Sequence, residues 1–313
     1  MKFFAGIDGG QSATTAVIAD DRGHVLGRGS AGPSDEVWEQ ARSTRLRDAL
    51  DGALQAALRS AGLDRTTHFS AVVAGVSGYD GALHGEAPLF NADRFELQHD
   101  APVAHAAALG GKAGVVVIAG TGSVAYGTNA EGESLTVGGW GYLFGDEGSA
   151  FWIARRGLER IMHDEDANSV SPLRKPLLQF FERESVRAVA RAFYDGTLAR
   201  ADIAQAARVV LSHAGEDEDA AMIAAQAADA LALLGATTAR RLGGGKRVLK
   251  HRPLVAFVGG LMHDHAFAHR VRERLRDRLP EAKAVEPLYE PAIGALLLAY
   301  HAAGRKSLPT IQV

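Results

Sequence analysis

The chain has 313 residues, 47% of them hydrophobic and 23% charged, a composition typical of a folded globular protein with room for two domains. The net charge is −3, from 34 basic and 37 acidic residues, and no basic block stands out, so we expect no nucleic-acid partner. The absence of cysteine excludes a disulfide framework and fits a cytoplasmic protein, and no apolar stretch reaches the ~18 residues of a membrane span.

The first predicted elements form a hairpin around a glycine-rich turn. Residues 3–7 read as a strand, Asp8-Gly9-Gly10-Gln11-Ser12 as the turn, and residues 13–19, with Thr14, as the returning strand. Glycines let backbone N–H groups approach an anion closely, and a carboxylate at such a turn suits Mg²⁺. A third strand is predicted over residues 24–29, followed by a loop over residues 31–35.

Apolar residues at helical spacing then predict a helix over residues 36–61, which Gly62 ends. Residues 69–76 read as a buried strand whose carboxyl end opens into the loop of Gly78, where ligands usually bind in α/β sheets. A strand over residues 94–98 and a helix over residues 101–109 follow. Asp100 stands at the start of that helix, and the residues alone favour an N-cap.

A second hairpin repeats the pattern of the first. Residues 115–118 are a continuous β-branched run, the turn is Gly120-Thr121-Gly122-Ser123, and residues 124–126 return. The glycines leave this backbone free to take positive φ. The spacing also fits the dinucleotide fingerprint, but that motif must open a helix. No P-loop motif is present. The turn residues alone do not exclude an ordinary hairpin. Two such hairpins can hold one polyphosphate from two sides.

The remaining chain contains a glycine- and aromatic-rich loop and a helical region. Residues 136–149 suit the binding of a sugar ring, although a loop with a core Trp140 is the alternative, and a helix is predicted from Asp146. Residues 172–242 are largely helical, with a core helix over residues 220–241. Residues 254–258 read as a strand that ends in Gly259-Gly260, and residues 291–304 as a final helix.

Three motifs carry a resemblance to a known family: Ile7-Asp8-Gly9-Gly10, Ala119-Gly120-Thr121-Gly122-Ser123, and the glycine-rich run that ends in Gly145-Asp146-Glu147-Gly148-Ser149. In this order they resemble the N-acetylglucosamine kinases and the related BadF/BadG/BcrA/BcrD ATPases of the actin/hexokinase/Hsp70 superfamily. The resemblance implies an α/β fold with two ribonuclease-H-like (actin/hexokinase-type) domains flanking an ATP cleft. The expected domains are residues 1–110, completed by residues 290–313, and residues 111–289 with a helical insertion.

The resemblance also implies transfer of the γ-phosphate of ATP to a hydroxyl, expected to be the 6-OH, of N-acetylglucosamine. Glucosamine or another amino sugar is the alternative acceptor, and a catalytically weak sugar- and nucleotide-binding ATPase is a further one. The expected partners are the small-molecule amino sugar and a second copy of the chain in a homodimer, with no membrane. The dehydratase activators of this family hold an iron–sulfur cluster with cysteines, which this chain lacks.

Site roles follow from the resemblance residue by residue. Asp100 is the expected catalytic base and Asp8 the Mg²⁺ ligand. The expected ATP-binding residues are Asp8, Gly9, Gly10, Gln11, Ser12, Thr14, Gly120, Thr121, Gly122, Ser123, Gly259 and Gly260. The expected substrate-binding residues are Ser34, Asp35, Gly78, Gly139, Trp140 and Asp146. Asp35 and Val124 stand where the family usually has Asn, and Gln11 where it has Gly, and these departures bear on specificity and rate.

Overall fold

The computed structural model describes residues 1–10, 13–34, 43–79, 81–83, 85–244, 252–305 and 307–312. The chain divides into two compact units. Unit 1 comprises Met1–Ala113 and Glu286–Val313, and unit 2 comprises Gly114–Val285.

Unit 1 is a five-stranded mixed sheet with helices on both faces. Its elements are β1 (Phe3–Gly9), β2 (Thr14–Asp20), β3 (Val25–Ala31), α1 (Arg45–Ala61), β4 (Phe69–Val76), β5 (Phe95–His99), α2 (Asp100–Leu109) and α10 (Pro291–Ala302). The strand order is β3-β2-β1-β4-β5. Strand β2 pairs antiparallel with both β1 and β3, whereas β4 pairs parallel with both β1 and β5. The carboxyl ends of the three parallel strands therefore meet at one edge of the sheet.

The core of unit 1 has an apolar layer on each face of this sheet. The leucines and alanines of α1 pack on one face, and α10 packs on the other. A Cβ on Gly6 of β1 would lie 2.1 Å from the backbone N of Leu296, so α10 can lie directly on the strand only because residue 6 is glycine. The predicted end of α1 at Gly62 is confirmed by its left-handed cap, with φ 67°. The described helix begins at Arg45, and residues 36–42 of the predicted helix lie outside the described residues.

Unit 2 repeats this sheet and adds a helical insertion. Its elements are β6 (Gly114–Ala119), β7 (Ser123–Thr128), β8 (Ser134–Gly138), α3 (Ala150–Asp166), α4 (Arg174–Phe181), α5 (Val186–Tyr194), α6 (Arg200–Gln205), α7 (Ala207–Ser212), α8 (Glu218–Leu242), β9 (Leu254–Val258), a 3₁₀ turn (Gly260–His263), α9 (His265–Arg278) and β10 (Lys283–Val285). The strand order β8-β7-β6-β9-β10 has the same antiparallel and parallel pairings as unit 1. The predicted repetition of the strand–turn–strand pattern is thus confirmed.

Helix α8 is the core helix predicted from the sequence. Within the described ranges it is the one helix that is long and apolar enough to cross a membrane by length and composition. Half of its most apolar stretch is buried inside the protein. Seven of its alanines and Leu231 belong to the apolar core of unit 2, together with residues of strands β6 and β9. This burial accounts for its composition.

Candidate active site

The carboxyl edge of the unit 1 sheet collects the acidic residues singled out in the sequence. Gly9 pairs with Val76, and Val76 pairs with His99, so the ends of β1, β4 and β5 lie in one row. The N–H of Ser77 donates to the carbonyl of Gly9 over 2.9 Å and closes this edge. Asp8 precedes Gly9 and Asp100 follows His99, which places both carboxylates at the same edge.

Asp8 is a partly buried carboxylate beside a second one. Desolvation and the negative charge of Asp100 raise the pKa of Asp8 to about 7. A divalent cation would offset this repulsion, and a carboxylate such as that of Asp8 is the hard oxygen donor that Mg²⁺ prefers. Among the described residues, no group of three or more His, Cys, Asp or Glu side chains could hold a metal.

Asp100 is the first residue of α2, and the N-cap expected at this position is wrong. His99 is the N-cap, because its Nδ1 accepts a hydrogen bond from the N–H of Ala101 over 3.1 Å. The Asp100 carboxylate is thus not used to cap the helix. Its Oδ1 is buried without a hydrogen-bond partner among the described residues.

Ser34 packs against the first glycine-rich turn. Its N–H donates to the carbonyl of Gly10 over 3.1 Å, and a Cβ on Gly9 would lie 2.2 Å from its Oγ. That hydroxyl is buried and has no partner in the described part of the chain. Thr14 is buried, and its hydroxyl donates to the carbonyl of Gly32 over 2.8 Å. Thr14 therefore fixes the loop before Ser34 rather than presenting a free donor.

Other predicted residues of unit 1 are placed only in part. The N–H of Gly10 donates to the carbonyl of Ala13 over 3.0 Å, which closes the hairpin. Gly78 has φ 78° in the turn after β4, where glycine is favoured. The predicted ATP ligands Gln11 and Ser12 and the predicted sugar ligand Asp35 lie outside the described residues.

The turn Gly120–Ser123 joins β6 and β7 in unit 2. Its two glycines do not adopt positive φ. A Cβ on Gly122 would instead lie 2.8 Å from Asp146 Oδ2 and 2.9 Å from Arg200 Nη2, so a side chain here would displace the Asp146–Arg200 pair. The carbonyl of Gly120 accepts from the N–H of Ala150 over 2.9 Å, which ties the turn to the start of α3.

Ser123 is part of the scaffold of this turn. Its N–H donates to Asp146 Oδ1 over 3.2 Å, and its hydroxyl donates to the carbonyl of Glu147 over 2.9 Å. The hydroxyl expected to bind phosphate is therefore already engaged. Across the described ranges, no hydrogen bond is formed by the Thr121 hydroxyl or by the N–H groups of Thr121 and Gly122, and these are the turn's free donors.

Asp146 does not begin a helix, contrary to the prediction. Helix α3 starts at Ala150, with Ser149 as N-cap accepting from the N–H of Trp152 over 3.1 Å, and Asp146 has a left-handed φ of 59°. Its Oδ2 accepts from Arg200 Nη2 over 2.6 Å. Burial raises the pKa of Asp146, while the Ser123 N–H and the Arg200 charge oppose that rise.

Arg200 was not identified from the sequence. Its guanidinium lies 5.2 Å from the ring centre of Tyr142, over the aromatic face, and pairs with a carboxylate 54 residues earlier in the chain. The helical insertion thereby reaches the glycine-rich turn. A contact of this sequence separation leaves no periodic signal, so local patterns could not have revealed it.

Trp140 is a surface residue. The indole is 77% exposed, so the alternative of a core tryptophan is wrong. Gly139 and Gly141 on either side have φ 73° and 79°, a backbone that turns sharply and presents the ring outward. An exposed aromatic face of this kind can stack on a sugar ring.

Gly259 follows β9 and needs to be glycine for two reasons. Its φ is 103°, and a Cβ there would lie 2.5 Å from the carbonyl oxygen of Ala119 at the end of β6. Gly260 begins the 3₁₀ turn. Both residues lie in unit 2, where strand β9 pairs with β6, the strand that leads into the Gly120–Ser123 turn.

Comparisons with known proteins find relatives that match nearly the whole chain. The N-acetylmuramic acid/N-acetylglucosamine kinase of Clostridium acetobutylicum is 26% identical over 317 residues, covering 96% of this chain and 98% of that protein. A solved structure from Chromobacterium violaceum, provisionally assigned as an N-acetylglucosamine kinase, has 28% identity and a TM-score of 0.76, with coverage of 96% and 99%.

The fold class predicted from the sequence is confirmed. The ROK hexokinase of Thermus thermophilus shares the fold at 17% identity, with a TM-score of 0.53 and coverage of 97% of this chain and 100% of that one. The two mixed five-stranded sheets thus have the actin/hexokinase-type architecture. The sequence profile of the BadF/BadG/BcrA/BcrD ATPase family matches residues 5–299. The chain belongs to the BadF/BadG/BcrA/BcrD ATPase family.

Proposed function

We propose that this protein is an ATP-dependent amino-sugar kinase that transfers the γ-phosphate of ATP to the 6-OH of N-acetylglucosamine. Membership of an ATPase family supports the use of ATP. The names of its relatives from Clostridium acetobutylicum and Chromobacterium violaceum support an amino-sugar acceptor. The observation that carries the proposal is the Asp100 carboxylate, which is free of the helix cap and lies beside Asp8 at the carboxyl edge of the unit 1 sheet.

Phosphoryl transfer depends on positioning and on neutralising charge, because the transition state spreads negative charge over the phosphoryl oxygens. In this proposal Asp100 accepts the proton of the sugar hydroxyl as that oxygen attacks the γ-phosphorus, and the bond from the γ-phosphorus to the bridging oxygen breaks to release ADP. Asp8 would hold Mg²⁺ through water, and the ion would neutralise phosphate charge. The Asp8–Asp100 repulsion favours a cation at this edge.

The residues of unit 2 supply donors and an aromatic face. The N–H groups of Thr121 and Gly122, with the Thr121 hydroxyl, are proposed phosphate donors, since Ser123 is engaged with Glu147. Trp140 is the proposed face for the sugar ring. Asp146 acts mainly by holding the turn, since its two oxygens accept from Ser123 and Arg200.

An ATP-consumption assay with a panel of sugars tests the proposal. We expect consumption with N-acetylglucosamine and little with glucose or with no sugar, and ³¹P NMR should show a phosphate monoester at the 6-position. Faster ATP consumption with glucosamine or N-acetylmuramic acid would identify that amino sugar, rather than N-acetylglucosamine, as the preferred substrate. ATP hydrolysis that no sugar accelerates would refute the kinase proposal and favour a sugar- or nucleotide-binding ATPase.

A further inference from the structure

The two oxygens of the Asp100 carboxylate have different surroundings. Oδ1 is buried, although the side chain as a whole is 24% exposed. Because Oδ1 is closed to solvent, only Oδ2 can meet the hydroxyl of a bound sugar. The side chain must therefore keep one rotamer for Asp100 to act as a base.

The neighbour of Oδ1 is the imidazole of the preceding residue. His99 Nδ1 lies 2.7 Å from Asp100 Oδ1. The same nitrogen accepts the capping bond from the N–H of Ala101. A single ring nitrogen cannot accept from an amide and donate to a carboxylate at once.

Because of these two contacts, which ring nitrogen of His99 carries a proton depends on Asp100. With its proton on Nε2, His99 caps α2, and its Nδ1 lone pair faces Oδ1, which is favourable only when Oδ1 itself carries a proton. With a proton on Nδ1, His99 donates to an ionised Asp100. In agreement, the carboxylate of Asp100 raises the pKa of the His99 imidazole.

We propose that His99 is the positioning residue of Asp100: its Nδ1 engages Oδ1, holds the carboxylate at the start of α2, and leaves Oδ2 as the atom that receives the substrate's proton. The proposal rests on the kinase function proposed above. The backbone of His99 is anchored for this role, because it pairs with Val76 in the sheet.

The competing explanation is that His99 only caps the helix, and two substitutions separate the roles. Serine is a good N-cap but too short to engage Oδ1, so His99→Ser keeps the cap and removes the contact. Asparagine can accept from Ala101 through its carbonyl and donate to Asp100 through its amide. His99→Asn therefore replaces both contacts.

Steady-state kinetics provide the first test. We expect His99→Ser to lower kcat about ten- to hundredfold while the melting temperature and the KM for ATP stay unchanged, because a misplaced base slows only the chemical step. His99→Asn should restore kcat to within about threefold of the wild type. A His99→Ser enzyme with wild-type kcat would overturn the proposal, and so would an equal loss in both variants.

A second measurement does not depend on turnover. In ¹⁵N NMR spectra, the Nδ1 signal of His99, identified by its loss in His99→Ser, should shift when Asp100 is replaced by Asn. An unchanged signal would overturn the pairing, whether or not the protein is a kinase. A shifted signal in a protein whose ATP consumption no sugar accelerates would establish the pairing and refute the proposed function alone.

Discussion

Replacing Asp8 by Asn should stabilise the folded protein at alkaline pH and have little effect in acid. In the folded chain, desolvation and the charge of Asp100 raise the pKa of Asp8 from 3.8 to about 7. Between these values the folded state keeps a proton that the unfolded state has released, so the wild type loses stability as pH rises through this window. Asn is neutral at every pH and avoids this loss.

The size of the effect follows from the shift in the pKa. The advantage of Asp8→Asn should grow by about 1.4 kcal/mol per pH unit from pH 4 and level off above pH 7, at no more than about 4 kcal/mol. Because Asp8 is only partly buried, solvent screening should reduce the plateau to between about 1 and 3 kcal/mol. Mg²⁺ should reduce the difference further by binding the wild type alone.

Urea unfolding followed by circular dichroism at pH 5 and pH 8, in Mg²⁺-free buffer, measures this difference. Asp48→Asn is the matched control: hydrogen bonds from Thr44 and Arg47 lower the pKa of that exposed carboxylate, so its loss should stabilise the protein at neither pH. If Asp8→Asn has the same effect at both pH values, desolvation and the charge of Asp100 do not raise the pKa of Asp8.

Further substitutions test the other parts of the site. Trp140→Ala should raise the KM for the sugar about tenfold, equivalent to about 1.4 kcal/mol, without changing stability. The control Tyr194→Ala replaces an aromatic residue on α5 that is 88% exposed, and it should change neither the KM nor the stability. Thr121→Val should raise the KM for ATP. Ser123→Ala should instead lower the free energy of unfolding by about 1–3 kcal/mol, because the loss of the serine hydroxyl leaves the Glu147 carbonyl without its donor. Gly259→Ala should cost about 1–3 kcal/mol of stability from strain, measured by urea unfolding, because of its positive φ and the close Ala119 carbonyl. An unchanged KM for the sugar in Trp140→Ala would contradict the role of Trp140, and an unchanged KM for ATP in Thr121→Val would contradict that of Thr121. Full stability of Gly259→Ala would contradict the need for glycine at that position.

The sequence predicted most of the strands and both repeated hairpins because their signals are local, but it did not predict β8 or β10. The β-branched run over residues 115–118 and the turns of small residues are sufficient to predict two glycine-tipped hairpins, and Gly62 marks the end of α1 by its own backbone preference. The acidic residues Asp8 and Asp100 could be found for the same reason, since each follows or ends a predicted strand.

The site's internal bonding could not be predicted in the same way. His99 rather than Asp100 caps α2, and Ser123 donates to Glu147 rather than standing free. Asp146 is held by Arg200, which the helical insertion brings from far along the chain. Each of these outcomes depends on which of several polar partners is nearest after folding, and spacing along the chain does not determine that.

The most direct test of the account compares Asp100→Asn with the wild type in turnover and in ATP binding. The variant removes the proton acceptor but preserves the shape of the side chain and leaves the His99 cap in place. We predict that sugar-dependent turnover falls by roughly two to four orders of magnitude while the Kd for ATP stays within about twofold. Turnover close to that of the wild type would contradict the assignment of Asp100 as the base, and with it the proposed mechanism.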